Sequence, residues 1–217
     1  MRQFRNRHEA GKELAQRLSK FYEQPNVVVL ALPRGGVPVG YEVALALNAP
    51  LDIFFVRKLG LPGQKELAIG AIASGGIRIL NETIIHELKL DQAVINRITE
   101  QELQELKRRE GHYHGNRTVP EIHDRTVILV DDGLATGASM LAAVHALRRQ
   151  HPAKTIVAIP VAASQAIDLL RSEVDEVIYV LAPEPFEGVG KWYERFSQTT
   201  DDEVHSILDD ANRRYHS

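Results

Sequence analysis

Runs of apolar residues of strand length alternate along this chain with segments whose apolar positions recur at helical spacing. Val27–Ala31 and Val127–Val130 are unbroken, β-branched and four or five residues long, the pattern of strands covered on both faces. Shorter or more mixed runs at Leu51–Val56, Thr155–Ile159 and Glu176–Leu181 read as further strands. Between them, residues 7–21 place Leu14, Leu18 and Phe21 on one helical face, and a helix is expected over Val37–Leu47. Met140, Leu141, Val144 and Leu147 mark a helix after Gly137, and another is expected near Gln165–Leu170. Ile69–Ala73 and Ile77–Leu80 pair as a hairpin across Ser74-Gly75-Gly76, whereas residues 57–68, with two Gly and a Pro among charges, read as a loop. Residues 91–111 form a polar helix with a thin stripe of Val94, Ile95, Ile98 and Leu106, supported by a Glu105–Arg109 pair. The last helix opens on a capping box at Thr200 and Glu203. Alternating β and α units predict an α/β fold with a doubly wound, mainly parallel sheet.

Composition narrows the class. The 217 residues are 44% hydrophobic, enough for one domain with additions. A net charge of −3 points to neither a nucleic-acid nor a membrane surface. The absence of cysteine excludes disulfides and thiolate metal sites and fits a reducing compartment. No apolar run reaches membrane-spanning length, and the charged first residues lack a signal-peptide core. A cytoplasmic protein is expected.

The segment Thr126–Met140, TVILVDDGLATGASM, carries the most chemistry. Its apolar strand ends on Asp131 and Asp132, at the carboxyl end, where open α/β sheets bind ligands. Gly133 and Gly137 permit close approaches and turns, Thr136 and Ser139 add hydroxyls, and the following helix offers unpaired N–H groups to an anion. No Lys or Arg lies between Asp131 and Leu147, so a phosphate here is held by backbone and hydroxyls. The plain alternative is a capped strand–turn–helix. Neither G-x-x-x-x-G-K-[ST] nor G-x-G-x-x-G is present in this segment.

ILVDDGLATGAS resembles the phosphoribosyl pyrophosphate (PRPP) signature of type I phosphoribosyltransferases: apolar strand, acid pair, spacer, T-G-x-S/T. Two more loops share the resemblance, both closest to adenine phosphoribosyltransferases. Leu32-Pro33-Arg34-Gly35-Gly36 is similar to their pyrophosphate loop, and Val56-Arg57-Lys58-Leu59-Gly60-Leu61-Pro62-Gly63 echoes V-R-K-x-G-x-L-P-G one residue shorter. The shortening leaves the register of residues 59–68 open, and Lys65 and Glu66 read as ordinary exposed charges. Across about 27–181 the chain looks like a general phosphoribosyltransferase core; 81–123 is a helical insertion, and 183–217 with the N-terminal helix would make a small hood, all within one domain spanning 1–217.

The resemblance implies an enzyme that uses Mg²⁺-PRPP to transfer phosphoribosyl to a nitrogenous base with loss of pyrophosphate, as in nucleotide salvage, with a purine favoured. It implies that Ala135, Thr136, Gly137, Ala138 and Ser139 hold the 5′-phosphate, and that Arg34, Gly35, Arg57 and Lys58 hold pyrophosphate. Asp131 and Asp132 would take the ribose hydroxyls and favour the cationic transition state, with Arg34 and Lys58 also catalytic. Mg²⁺ would be held by substrate and water near Asp131 and Asp132, without dedicated protein ligands. Phe186 is the candidate for stacking on the base; Trp192, Tyr193 and Phe196 serve equally to stack or to pin the tail. His112, His114 and His123 are near neighbours in sequence, but the surrounding helix end disfavours structural zinc. The family implies a homodimer. A non-catalytic PRPP or nucleotide sensor of the same fold is the alternative.

Overall fold

The computed structural model describes residues 2–61, 64–114 and 120–215. Five parallel strands form the central sheet: β1 (Val27–Ala31), β2 (Leu51–Ile53), β6 (Thr126–Val130), β7 (Lys154–Val161) and β8 (Glu176–Leu181), in the order β2-β1-β6-β7-β8. Alternating side chains feed two cores. Val28, Leu30, Val127, Leu129, Val157 and Ile159 face one side, where α5 (Ala138–Arg148) and α6 (Ser164–Arg171) pack. Val27, Val29, Ile128, Val130, Ile156 and Ala158 face the other, covered by α1 (Arg7–Arg17) and α2 (Gly36–Leu47). This is the doubly wound, mainly parallel α/β architecture expected of the type I fold.

Three expectations need correction. The segment read as a loop over 57–68 is mostly strand: β3 (Val56–Leu61) and β4 (Gln64–Ala73) pair antiparallel, and β4 pairs with β5 (Ile77–Leu80) in a separate three-stranded sheet. Charged and glycine residues hid the pattern, because a bulge between Lys58 and Gly60 breaks the alternation that marks a ribbon. The strand expected over Leu51–Val56 accordingly divides at Phe54 and Phe55 into β2 and β3. Pro62, Gly63 and the side chains of Lys65 and Glu66 lie outside the described residues.

The insertion holds a short helix that periodicity missed, α3 (Glu82–Glu87), capped by Asn81 Oδ1 accepting from Ile84 N at 3.2 Å. It is followed by α4 (Gln92–His114), whose Ile95, Ile98, Leu106 and Tyr113 pack on Phe55, Leu59, Ile69 and Ile72 of the second sheet.

The hood is built differently from the expectation. Helix α1 is a layer of the central core, with Leu14 and Leu18 fully buried there. What meets the tail is the segment before it: Phe4 N donates to Trp192 O and Glu194 N to Phe4 O, both at 2.8 Å. The last helix, α7 (Asp201–Tyr215), packs on α2 and β2 and sends Val204 and Leu208 into the core beneath α4. Its expected capping box is present, with Glu203 N donating to Thr200 Oγ1 at 3.1 Å.

Candidate active site

Because β1 and β6 are adjacent and parallel, the loops that leave them emerge side by side at the carboxyl edge of the sheet. Leu32 N donates to Val130 O at 2.8 Å, which ties the start of the Arg34 loop to the end of β6. The two glycines of that loop let it lie on the acid pair. A Cβ on Gly36 would stand 2.8 Å from Val130 O, and one on Gly35 would stand 2.1 Å from Asp132 Oδ2. The Pro33–Arg34 peptide is cis.

Asp131 and Asp132 are both half-buried. Asp131 Oδ1 accepts from Asp132 N at 2.8 Å. Burial, and next to it the negative charge of Asp132, raise Asp131 well above the ordinary aspartate range. Burial also raises Asp132, opposed by a residue the sequence did not single out: Arg7 at the start of α1. Its Nε lies 2.8 Å from Asp132 Oδ2, and both side chains are largely covered, at 11% and 14% exposed. Arg7 also donates through Nη1 to Ser197 O at 2.6 Å, and its guanidinium lies over the Phe196 ring, 4.0 Å from the centroid. Tyr193 stacks on Phe196 and donates its hydroxyl to Asp132 O at 2.6 Å. The second acid is therefore gripped from both chain ends across 125 residues of sequence, and no local motif announces such a contact.

The 5′-phosphate candidates form a cradle at the start of α5. Gly137 caps the helix at φ +73°, a left-handed conformation that glycine adopts at no cost. The loop base is pinned to the end of β7 by Leu134 N to Val161 O and Ala163 N to Leu134 O, each 2.9 Å. Ala135, Thr136 and Ser139 are exposed, and the first-turn amides of α5 point outward with them as an anion site.

The pyrophosphate candidates divide. Arg34 is on the cradle's flank and lies 3.3 Å from Asp201 of α7. Arg57 and Lys58 are consecutive on a strand and so face opposite ways. Arg57 Nε reaches Glu102 of α4 at 2.5 Å, while Lys58 is exposed. Phe186 is half-buried between the α5–α6 core and a small cluster of Phe4, Trp192 and Tyr193. Of the tail aromatics, Trp192 and Tyr193 are buried in that cluster and pin the tail. The side chain of His114 lies outside the described residues, and among those described no group of three or more His, Cys, Asp or Glu could hold a metal ion.

A sequence model of the family described as "Phosphoribosyl transferase domain" matches residues 55–187. The chain belongs to the phosphoribosyl transferase family. It is a domain of the glycosyltransferase type. The phosphoribosyl transferase fold is shared closely with the protein TT1426 from Thermus thermophilus, at 39% identity and a TM-score of 0.86, covering 96% of this chain and 98% of that one. Two Mycobacterium tuberculosis proteins named as candidate phosphoribosyl transferases, MT0597 (strain CDC 1551 / Oshkosh) and Rv0571c (strain ATCC 25618 / H37Rv), are each 42% identical over 215 residues, 99% of this chain. The chain spans about half the length of these curated relatives, 48% of each.

Proposed function

We propose that this phosphoribosyltransferase domain binds Mg²⁺-PRPP and transfers its phosphoribosyl group to a ring nitrogen of a base, a purine by preference, releasing pyrophosphate. The observation that carries this reading is the seating of Gly35 against Asp132: the Arg34 loop and the acid pair form one continuous surface beside the cradle at Gly137. Amides from Ala135 to Ser139 and the Thr136 and Ser139 hydroxyls bind the 5′-phosphate. Asp131 and Asp132 accept from the ribose hydroxyls and stabilise positive charge growing on the sugar. Arg34, the Gly35 amide and Lys58 take charge on the departing pyrophosphate, with Arg57 steadied by Glu102 at the rim. Phe186 stacks on the base.

The two half-buried carboxylates, one already paired with Arg7, suit a magnesium ion that keeps substrate and water oxygens around it better than a dedicated protein cage. When bound with PRPP, the ion supplies charge neutralisation at the diphosphate. Among the described residues no helix is long and apolar enough to cross a membrane, which accords with a cytoplasmic placement. The functional unit is proposed to be a homodimer acting on small molecules, with no nucleic-acid or membrane partner.

The test is release of pyrophosphate from Mg²⁺-PRPP across a panel of purine and pyrimidine bases, with Asp132→Asn alongside. Release with at least one base, strongly reduced in the variant while folding persists, supports the assignment. Tight PRPP binding without release from any base would replace catalysis with sensing, and near-normal turnover by Asp132→Asn would remove the role given to that acid.

A further inference from the structure

On the outer side of Arg34 a polar cleft of about 350 Å³ opens toward the helical insertion. That volume falls in the range of small-ligand sites. Arg34, Arg108, Arg109, His112, Tyr113 and Asp201 line it. The α4 residues share one helical surface: Glu102, which holds Arg57, lies two turns before Arg109, and Tyr113 one turn after it. The insertion thus turns toward the two loops assigned to pyrophosphate.

The charges in the cleft are unequal. Glu105 is shared by two guanidiniums, accepting from Arg108 Nε and Nη2 at 2.7 and 2.9 Å and from Arg109 Nε at 2.8 Å. Those two arginines hold the exposed Glu105 carboxyl down to about 2, so it stays a single negative charge against two positive ones. Among the described residues, Arg109 donates to Glu105 through Nε only, which leaves its outer nitrogens toward solvent. The remaining carboxylate, Asp201, sits between Arg34 Nη1 and the Tyr113 hydroxyl, which donates to it. Burial and the Asp201 bond push that hydroxyl up to about 12, keeping it a donor. Asp201 is half-exposed, at 49%, on the first turn of α7. A protein carboxylate already occupies the place where an anion would meet Arg34, and it can swing away. A phosphate group offers more acceptor oxygens to the same donors, and guanidinium forks match it in pairs.

We propose that α4 forms the outer wall of the pyrophosphate site, with Arg108 and Arg109 binding the terminal phosphate and Asp201 serving as the internal anion that this phosphate displaces from Arg34 and Tyr113. Arg108 and Arg109 are specificity residues for the diphosphate, and Asp201 opposes its entry. This assignment rests on the role given above to the Arg34 loop.

Calorimetric titration with Mg²⁺-pyrophosphate tests it, with ribose 5-phosphate as the control ligand for the separate cradle after β6. The Arg108→Gln/Arg109→Gln protein should bind pyrophosphate about tenfold more weakly, since each exposed guanidinium contributes a modest charge-assisted contact. Asp201→Asn should bind it severalfold more tightly. Neither change should move ribose 5-phosphate affinity. Arg108→Lys/Arg109→Lys keeps the charge and should retain most of the affinity; a loss as large as that of the glutamine pair would make the effect one of packing and overturn the proposal. Wild-type affinity in the glutamine pair, with binding weakened in Arg34→Gln, removes the α4 wall and leaves the Arg34 loop assignment standing. Weaker binding by Asp201→Asn refutes its part as a competing anion. A wild-type protein that binds neither PRPP nor pyrophosphate overturns this proposal together with the function it rests on.

Discussion

Replacing Gly35 by alanine sets two physical effects of opposite sign against each other. The residue has φ −61° and ψ −33°, ordinary right-handed backbone at the cap of α2. Conformational freedom alone therefore predicts that alanine stabilises the fold by about 0.4–1 kcal/mol. The added methyl, however, would stand 2.1 Å from Asp132 Oδ2 and 2.7 Å from its Cγ, whereas ordinary contact begins at 3.4 Å. Carboxylate or loop must yield by the difference, about 1.3 Å. The carboxylate is held by Arg7 at 2.8 Å and its backbone by Tyr193, so neither side gives freely. Overpacking of this kind costs about 1–3 kcal/mol, more than the entropic gain. The net loss of roughly 1–2 kcal/mol lowers the melting temperature by about 2–8 °C for a chain of this length. Displacement of a reacting group by about 1 Å costs on the order of 100-fold in turnover. Scanning calorimetry and pyrophosphate release measure both quantities. Gly111 on α4, where a Cβ meets nothing within 4 Å, is the control: alanine there should stabilise by about 0.5–1 kcal/mol and leave turnover unchanged. A Gly35→Ala protein that melts at or above the wild-type temperature, with unaltered PRPP handling, refutes the seating of the loop on the acid.

Three further perturbations follow from the same geometry. Arg7→Met keeps an apolar stem over Phe196 but leaves Asp132 without its counter-charge, and should destabilise by about 2–3 kcal/mol at pH 7 in denaturant titrations. That loss should shrink on acidification, because a protonated Asp132 no longer needs Arg7; a pH-independent loss contradicts the ion-pair account. Asp131→Asn should be more stable than wild type at pH 7 and less active. Burial raises the folded-state value of Asp131, so ionising it costs stability as pH rises above the ordinary value of 3.8, and the advantage of asparagine should vanish below it. Gly137→Ala forces a side chain into φ +73° and should cost about 1–2 kcal/mol while weakening ribose 5-phosphate binding; undiminished binding would remove the cradle from the phosphate site.

The parts of this molecule that were legible in the sequence are those whose physics is local. Buried parallel strands declare themselves by unbroken apolar runs, and Val27–Ala31 and Thr126–Val130 lie where those runs lie. The capping box at Thr200 and the Glu105–Arg109 pair are contacts between near neighbours, and both are present. The turn chemistry around Gly137 likewise depends on a few adjacent residues. What stayed hidden depends on distant segments meeting. β3 and β4 form a sheet through each other and the cover of α4, so their own pattern of Lys, Gly and Arg resembled a solvated turn. Arg7 looked like one charge among several in a polar first helix, and only the folded chain sets it beside Asp132. Asp201 belongs to a helix start that sequence rules explain fully by capping, which conceals its second contact with Arg34 and Tyr113.

The small aromatic cluster behind the acid pair has an optical consequence. Trp192 is the chain's single tryptophan, buried at 6% exposure and adjacent to Tyr193, whose hydroxyl rests on Asp132. Its indole Nε1 has no hydrogen-bond partner among the described residues, so its surroundings are dry. Emission excited selectively in the indole band comes from this one ring, at one contact's remove from the second acid. The fold therefore carries its own fluorophore behind the site, and a ligand that shifts Asp132 can be followed by intrinsic emission without any label attached to the protein.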